Sequence, residues 1–372
     1  MRVMTVLGTR PEIIRLSLVI PLLDAACEHT LVHTGQNYDA GLDTIFFQQL
    51  GVRAPDLNLG IRGSGFGDQV GKLLAAIEPV FTAQRPDRVL ILGDTNSGLV
   101  AFVARRLGIP VYHMEAGNRC FDDRVPEEVN RRVIDHSSTI LLPYSERSRA
   151  NLLREGIASE RIYVTGNPIR QVIERFAPAV EASTALAQLG VEARRYVLVT
   201  MHRQENVDQE ARLRGLVEAL ERVARRTGLP VICSLHPRTR ARIAQFGVDV
   251  ERLGLRFLEP MGFFDFIRLE RSAACVISDS GTVQEEACIF GVPNVTIREV
   301  TERPETVECG SNFLAGTDPA AIERAVTYVM SQPVGWTPPP EYLAPLVAET
   351  VCRIVLGHRI PDAAELEWRR RS

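Results

Sequence analysis

Cys275-Val276-Ile277-Ser278-Asp279-Ser280-Gly281-Thr282-Val283-Gln284-Glu285-Glu286-Ala287 (275–287) sets a short run of strand-forming residues against a Ser-Gly turn and the start of a helix-period segment. A buried strand, a Gly at its carboxyl end and a helix directly after it make the βα half of a parallel βαβ unit. Such a turn points the first backbone N–H groups of the helix at whatever lies beyond the strand end. With the helix dipole, they stabilise an anion such as a diphosphate. Ser280 as a plain helix cap is the competing reading. Capping alone leaves unexplained the pair Glu285 and Glu286, the nearby Arg298 and the loop Thr301-Glu302-Arg303-Pro304-Glu305. Glu286, about one turn into the helix, is placed to accept hydroxyls from a ribose.

The same strand-loop-helix alternation runs outward in both directions. Short β-branched runs at 3–7, 30–34, 88–92, 111–113 and 139–142 each precede a loop and a helix-period segment. After Gly166-Asn167-Pro168 comes a polar, Ala-rich helical stretch, and the alternation resumes at 196–200, 231–235, 256–258, 275–278 and 295–297. This predicts an α/β protein of two doubly wound sheets: a first Rossmann-like domain over 1–167 and a second over 168–342. The last helix-period stretch, 343–356, follows the proline-dense Pro338-Pro339-Pro340 and is expected to cross back, so that 343–372 completes the first domain.

Composition agrees with this scale. A chain of 372 residues exceeds one ordinary core, and 45% hydrophobic with 24% charged residues suits a packed globule. Net charge is −3 and the short Arg369-Arg370-Arg371 run is the densest block of like charge, which argues against nucleic acid as a partner. The seven cysteines lack metal or redox-pair spacing, so no metal is expected. No run approaches the ~18 apolar residues of a membrane span. The expected setting is the cytoplasm, with no membrane partner.

Ligands of doubly wound sheets sit beyond the carboxyl ends of the strands, so the loops there carry the candidate chemistry. The first is Gly8-Thr9-Arg10-Pro11-Glu12, a βα turn beside which Arg10 makes an anion site, or an ordinary turn with a surface Arg. The second is Gly93-Asp94-Thr95-Asn96, whose Asp94 either caps the next helix or meets a ligand. The third, Glu115-Ala116-Gly117-Asn118-Arg119, leads on to Pro126-Glu127-Glu128-Val129-Asn130-Arg131-Arg132. Inverting a carbon needs one group to take a proton from one face and another to return it on the other. Asp94, Glu115 and Glu127 lie at one sheet edge and suit that work; a salt-bridge network around Arg119 and Arg131 is the alternative. In the second half, His202 in Met201-His202-Arg203-Gln204-Glu205-Asn206 and His236 in His236-Pro237-Arg238 follow strand ends, with arginines beside them that fit a charged leaving group.

Seven of these segments, GTRPE (8–12), GDTNS (93–97), HMEAGNRCFD (113–122), VPEEVNRRVIDH (125–136), MHRQEN (201–206), SDSGTVQEEA (278–287) and TERPE (301–305), resemble in order the motifs of the non-hydrolysing UDP-N-acetylglucosamine 2-epimerases. The resemblance implies the glycosyltransferase type B architecture, two Rossmann-like domains with the active site between them. It implies a mechanism in which carbon 2 is deprotonated, UDP is eliminated, and UDP re-adds after the proton returns on the other face. On this resemblance Asp94, Glu115, Glu127 and His202 match catalytic positions; Arg10, Arg15, His236, Ser280, Gly281, Glu286 and Arg303 match substrate and UDP contacts. The implied partner is a UDP-sugar, with no cofactor, and the family's habit is a homodimer.

Two departures stand out. Arg15 replaces the family's usual Lys, keeping charge but changing geometry. The stretch 33–39, His-Thr-Gly-Gln-Asn-Tyr-Asp, replaces a Gln-His-Arg segment with which bacterial members hold a second UDP-sugar as activator. The wording GTRPEIIRLS and HTGQNYD also resembles the branch acting on 6-deoxy-L-sugars, such as the step that forms UDP-N-acetyl-L-fucosamine. A glycosyltransferase of the same fold, a hydrolytic epimerase and a non-catalytic UDP-sugar sensor are the competing functions. Added carboxylates oppose the last, because negative charge gains nothing in binding a diphosphate.

Overall fold

The computed structural model describes residues 1–35, 40–235, 237–250 and 254–358, with only the backbone of 40–43. The described residues form two compact units, one comprising Met1–Arg175 together with 340–358, the other Phe176–Pro339.

The first unit holds a six-stranded parallel sheet in the order β3-β2-β1-β4-β5-β6. Its strands are β1 (Arg2–Leu7), β2 (Glu28–His33), β3 (Leu57–Asn58), β4 (Arg88–Leu92), β5 (Val111–Met114) and β6 (Ile140–Leu142). β1 is apolar and buried over nearly its whole length because helices cover both faces of a parallel sheet. Met4, Val6, Val89, Ile91 and Val111 pack with Ile77, Phe81, Ala101 and Ile134 from the covering helices. The helix Val347–Gly357 belongs to this unit. Its Cys352 Sγ lies 3.7 Å from the Val19 carbonyl, and the Arg88 guanidinium donates to the His358 carbonyl at 2.7 Å.

The second unit repeats the plan, in the order β12-β11-β10-β7-β8-β9. The strands are β7 (Val197–Met201), β8 (Val231–Leu235), β9 (Leu255–Leu258), β10 (Cys275–Ser278), β11 (Asn294–Thr296) and β12 (Asn312–Leu314). Read from its own first strand, this is the same doubly wound Rossmann order as in the first unit. One apolar layer, built on Val197, Val199, Cys233 and Ile277, packs under the amphipathic helix Glu210–Thr227; another, built on Leu198, Ile232 and Val276, packs under Phe263–Ser272.

The order of strands decides where chemistry is possible. It reverses between β1 and β4 in the first unit and between β7 and β10 in the second, and there the following loops diverge and open a crevice. The expected strands appear within a residue or two of their sequence positions. The edge strands β3 and β12 lie outside that expected set. Leu57–Asn58 and Asn312–Leu314 carry no apolar run because an edge strand pairs on one side and needs less burial.

Gly117, in the loop after β5, illustrates how tightly the loops are set. Its φ is +80°, and a Cβ there would lie 2.3 Å from the Ser148 carbonyl oxygen. Gly156 has a similar φ of +83° with nothing within 4 Å. Gly117→Ala therefore combines backbone strain with a clash and is expected to lower unfolding stability by roughly 3 kcal/mol; Gly156→Ala carries the strain alone, about 1 kcal/mol. Urea unfolding of the two variants checks this, and equal losses would refute the steric account.

Candidate active site

In the first unit the turn after β1 is organised by a residue the sequence reading passed over, Glu12. Thr9 and Glu12 form a capping box at the start of the helix Arg10–Leu16. The Glu12 Oε2 accepts from the Gly8 N–H at 2.7 Å, the Thr9 N–H at 2.7 Å and the Thr9 hydroxyl at 2.9 Å. Its Oε1 accepts from the Thr95 hydroxyl at 2.9 Å. One buried carboxylate thus ties the β1 loop to the β4 loop across the strand-order reversal. Burial pushes the Glu12 carboxyl up to about 7 against the pull of these donors. The Thr-x-x-Glu spacing was the available signal for it.

Arg10, at the head of that helix, lies with its guanidinium 5.8 Å from the Phe46 ring centre. Arg15, one turn further on, is buried. It donates to the Glu115 Oε2 at 2.5 Å and lies 5.5 Å from the Tyr144 ring centre. Glu115 follows β5 with φ +64°, a strained value for a residue with a side chain, and its carboxyl is 10% exposed. Asn118 donates to its other oxygen at 3.4 Å.

Asp94 follows β4, whose last residue Leu92 pairs with Met114 of β5, so Asp94 and Glu115 leave adjacent strands. Thr95, not Asp94, stands at the N-cap position of the short helical turn that follows, without a side-chain capping bond. Asp94 instead faces Arg131, whose Nε is 2.8 Å and Nη2 2.6 Å from its Oδ2, and stays 23% exposed. Arg131 also donates to the Glu128 Oε2 at 2.7 Å, and the Cys120 and Phe121 N–H groups donate to Glu128 at 3.0 Å each. Burial raises the Glu128 carboxyl, but these donors and the Arg131 charge outweigh it and hold it below its ordinary value.

Glu127, next along in the first turn of the helix Pro126–Ser137, is half-buried. The neighbouring glutamates therefore differ: Glu128 is a buried strut, while Glu127 is partly open. Arg119 is likewise structural, bound to the buried Asp135 at 2.7 Å and to Glu155 at 2.7 Å. Asp135 in turn holds His113 Nδ1 at 2.8 Å, and His113 Nε2 donates to the Gly93 carbonyl at 2.8 Å, which steadies the turn before Asp94.

In the second unit Asp279 plays the part Glu12 plays in the first. It is fully buried after β10 and accepts from the His202 N–H at 3.0 Å, the Arg203 N–H at 3.0 Å and the Asn206 amide at 3.0 Å, joining the β7 loop to the β10 loop. The His202 Nδ1 lies 3.3 Å from the Asp279 Oδ1, and the side chain is 40% exposed. A carboxylate facing Nδ1 favours the proton there and orients the ring.

Ser280 is the N-cap of the helix Gly281–Phe290, and its hydroxyl pairs with that of Thr282 at 3.1 Å. A Cβ on Gly281 would lie 2.6 Å from the Glu302 Oε1, so a side chain there would have to displace that carboxylate. Glu302 gathers Arg298 at 2.8 Å and Arg203 at 3.3 Å. Arg303 is buried, with its Nε on Glu285. Glu286 lies one position further along the helix and is 5% exposed. The helix N–H groups thus start at Ser280 and Gly281, an arrangement suited to a phosphate group, with arginines paired to Glu302 and Glu285 close by. His236 lies outside the described residues, as do Gln36, Asn37, Tyr38 and Asp39 of the divergent segment. Among the described residues no group of three His, Cys, Asp or Glu side chains could hold a metal, and no helix is long and apolar enough to cross a membrane.

Two Rossmann-like sheets, one with carboxylate-arginine pairs at its reversal point and the other with a Gly-opened helix N-terminus, define the α/β, glycosyltransferase type B class expected from the sequence. A glycosyltransferase of lipopolysaccharide biosynthesis shares the fold, with a TM-score of 0.56 at 13% identity over 99% of each chain. The chain belongs to the UDP-N-acetylglucosamine 2-epimerase family, whose profile matches residues 23–355, and is therefore an isomerase. It is 40% identical to the UDP-N-acetylglucosamine 2-epimerase of Methanocaldococcus jannaschii, over 91% of this chain and 95% of the relative. It is 38% identical to the UDP-2,3-diacetamido-2,3-dideoxy-D-glucuronate 2-epimerase of Pseudomonas aeruginosa, over 85% and 88%. The M. jannaschii enzyme, solved in complex with UDP-GlcNAc and UDP, matches with a TM-score of 0.92 over 96% of this chain and 100% of that one, at 38% identity.

The Glu12 clamp has a pH signature. Its folded-state value of about 7 exceeds the ordinary 4.5, so the folded protein holds the proton more tightly than the unfolded chain does. Stability then falls as pH rises from about 4.5 to about 7 and levels off above, by about 3 kcal/mol in all. Urea unfolding at pH 5 and pH 8 is expected to show a loss in the wild type that exceeds the loss in Glu12→Gln by that amount. Equal losses would remove Glu12 as the cause.

Proposed function

We propose that this protein is a non-hydrolysing epimerase that interconverts UDP-N-acetylglucosamine and UDP-N-acetylmannosamine. The observation that carries the reading is the pair Asp94 and Glu115, two arginine-held carboxylates leaving adjacent strand ends in a member of this family. One carboxylate takes the proton from carbon 2; the C1–O bond to UDP breaks, and its electrons leave with the diphosphate. The remaining 2-acetamidoglucal is protonated at carbon 2 from the other face, and the diphosphate oxygen re-forms the bond to carbon 1. Atoms and charge balance without an oxidant.

In this reading Asp94 and Glu115 handle the carbon-bound proton, and Glu127 orients the sugar or shares that work. His202, steadied by Asp279, stabilises the departing diphosphate, which needs compensation at the moment its charge grows. The helix N-terminus at Ser280 and Gly281 binds the diphosphate, with Arg10, Arg15, His236 and Arg303 completing the charge, and Glu286 receives the ribose hydroxyls. The M. jannaschii enzyme's complex with UDP-GlcNAc and UDP supports this substrate class. The reading includes a homodimer in the cytoplasm that feeds polysaccharide biosynthesis, the setting in which a UDP-amino sugar is consumed.

Incubation with UDP-N-acetylglucosamine in deuterated water tests the reading. Deuterium is expected at carbon 2 of both epimers with UDP still attached. Free sugar with UDP would mark a hydrolase, and no exchange with any UDP-HexNAc, 6-deoxy-L-sugars included, would overturn the proposal. In the same assay Asp94→Asn is expected to bind UDP within about 3-fold of wild type while exchange drops at least ~100-fold. Normal exchange would remove Asp94 from the mechanism.

A further inference from the structure

A second carboxyl lies behind Glu286 and has no role in the reaction outlined above. Glu270, near the end of the helix Phe263–Ser272, is fully buried in the second unit. The helix that carries it packs against Gly281–Phe290 through an apolar layer that includes Leu269, Ala273, Val283 and Ala287. No hydrogen-bond donor among the described residues reaches either Glu270 oxygen, apart from what Glu286 itself can share. An ionised carboxylate in such a place would bear a desolvation cost with no compensation. Burial first, and then the adjacent Glu286, push the Glu270 carboxyl well above its ordinary value. Two carboxyl groups that close, one of them without another partner, favour sharing a proton over carrying two negative charges.

We propose that Glu270 is a positioning residue for nucleotide binding: as a neutral carboxylic acid it donates its proton to Glu286 and fixes that carboxylate to accept the ribose 2′- and 3′-hydroxyls. The proposal rests on the ribose contact assigned to Glu286 above. Glu286 stands five residues beyond Gly281, about 7.5 Å along the helix axis, so a nucleotide whose diphosphate meets the helix N-terminus brings its ribose to that level. An arginine in place of Glu270 would pair with both carboxylate oxygens and compete with the diol. A neutral acid takes one lone pair, sets the rotamer and leaves the charge for the ligand.

The test is calorimetric titration of wild type, Glu270→Gln and Glu270→Met with UDP and with 2′,3′-dideoxy-UDP. Wild type is expected to prefer UDP by roughly tenfold or more, as befits hydrogen bonds to a charged acceptor. Glu270→Gln, which keeps a neutral donor, is expected to stay within about 3-fold for both ligands. Glu270→Met is expected to lose roughly tenfold for UDP and nothing for the dideoxy ligand. A wild type indifferent to the diol would sink the ribose contact of Glu286 itself. A wild type that discriminates, with a Met variant that discriminates equally, would overturn the role of Glu270 alone. So would equal loss of both ligands in the Met variant, or a Gln variant as impaired as Met. Should the Met variant not fold, the infrared difference between wild type and Glu270→Gln at neutral pH decides: a protonated carboxyl band that disappears with the substitution supports the proposal, and no such band overturns it.

Discussion

Each unit hangs its chemistry on a buried carboxylate that spans the reversal of strand order. Glu12 collects donors from the loops after β1 and β4, and Asp279 collects donors from the loops after β7 and β10. Parallel strands bring these loops side by side but leave their backbone N–H groups without partners, since the ladder stops at the strand end. An acceptor with two oxygens and several lone pairs satisfies loops from both strands at once. The loops then hold one conformation, and the residues they carry, Arg10 and Asp94 in one unit, His202 and Ser280 in the other, point where the sheet ends.

The same logic governs the charged pairs. Burying an ion costs several kcal/mol, and hydrogen-bonded opposite charge offsets that only when geometry is good. Arg131 meets this condition by serving two carboxylates, the buried Glu128 and the more open Asp94. Arg15 meets it by pairing with Glu115 and lying over Tyr144. Its planar guanidinium suits both contacts in a way an ammonium does not, which gives the departure from the family's lysine a physical reason. Removing either arginine would take the opposite charge from an acid held in the interior, so site and stability are coupled here.

Much of the fold was legible because parallel strands are buried on both faces and read as unbroken apolar runs, as at 88–92, 231–235 and 275–278. The edge strands Leu57–Asn58 and Asn312–Leu314 were not, since pairing on one side leaves no such run. The motifs pointed to the loops after β1, β4, β5, β7 and β10, which the fold sets at the carboxyl ends of the strands. Composition and spacing alone do not separate Glu127 from Glu128, because adjacent helix positions with the same side chain differ only in which face meets the core; the family resemblance singled out Glu127, and the structure shows that Glu128 is the buried one of the two. Glu270 gave no signal at all: a lone acid among apolar residues in a helix reads as surface until its neighbours in space are known.

By itself, the sequence determined the alternation of strand and helix and the two-sheet plan, because local periodicity and turn chemistry suffice for these. Tertiary structure alone decided which acids are buried clamps and which stay partly open. Thr95 donates to Glu12 across 83 residues of chain, and Asn206 to Asp279 across 73. A carboxylate's role is set by the donors that surround it, and those donors come together only when the strands do.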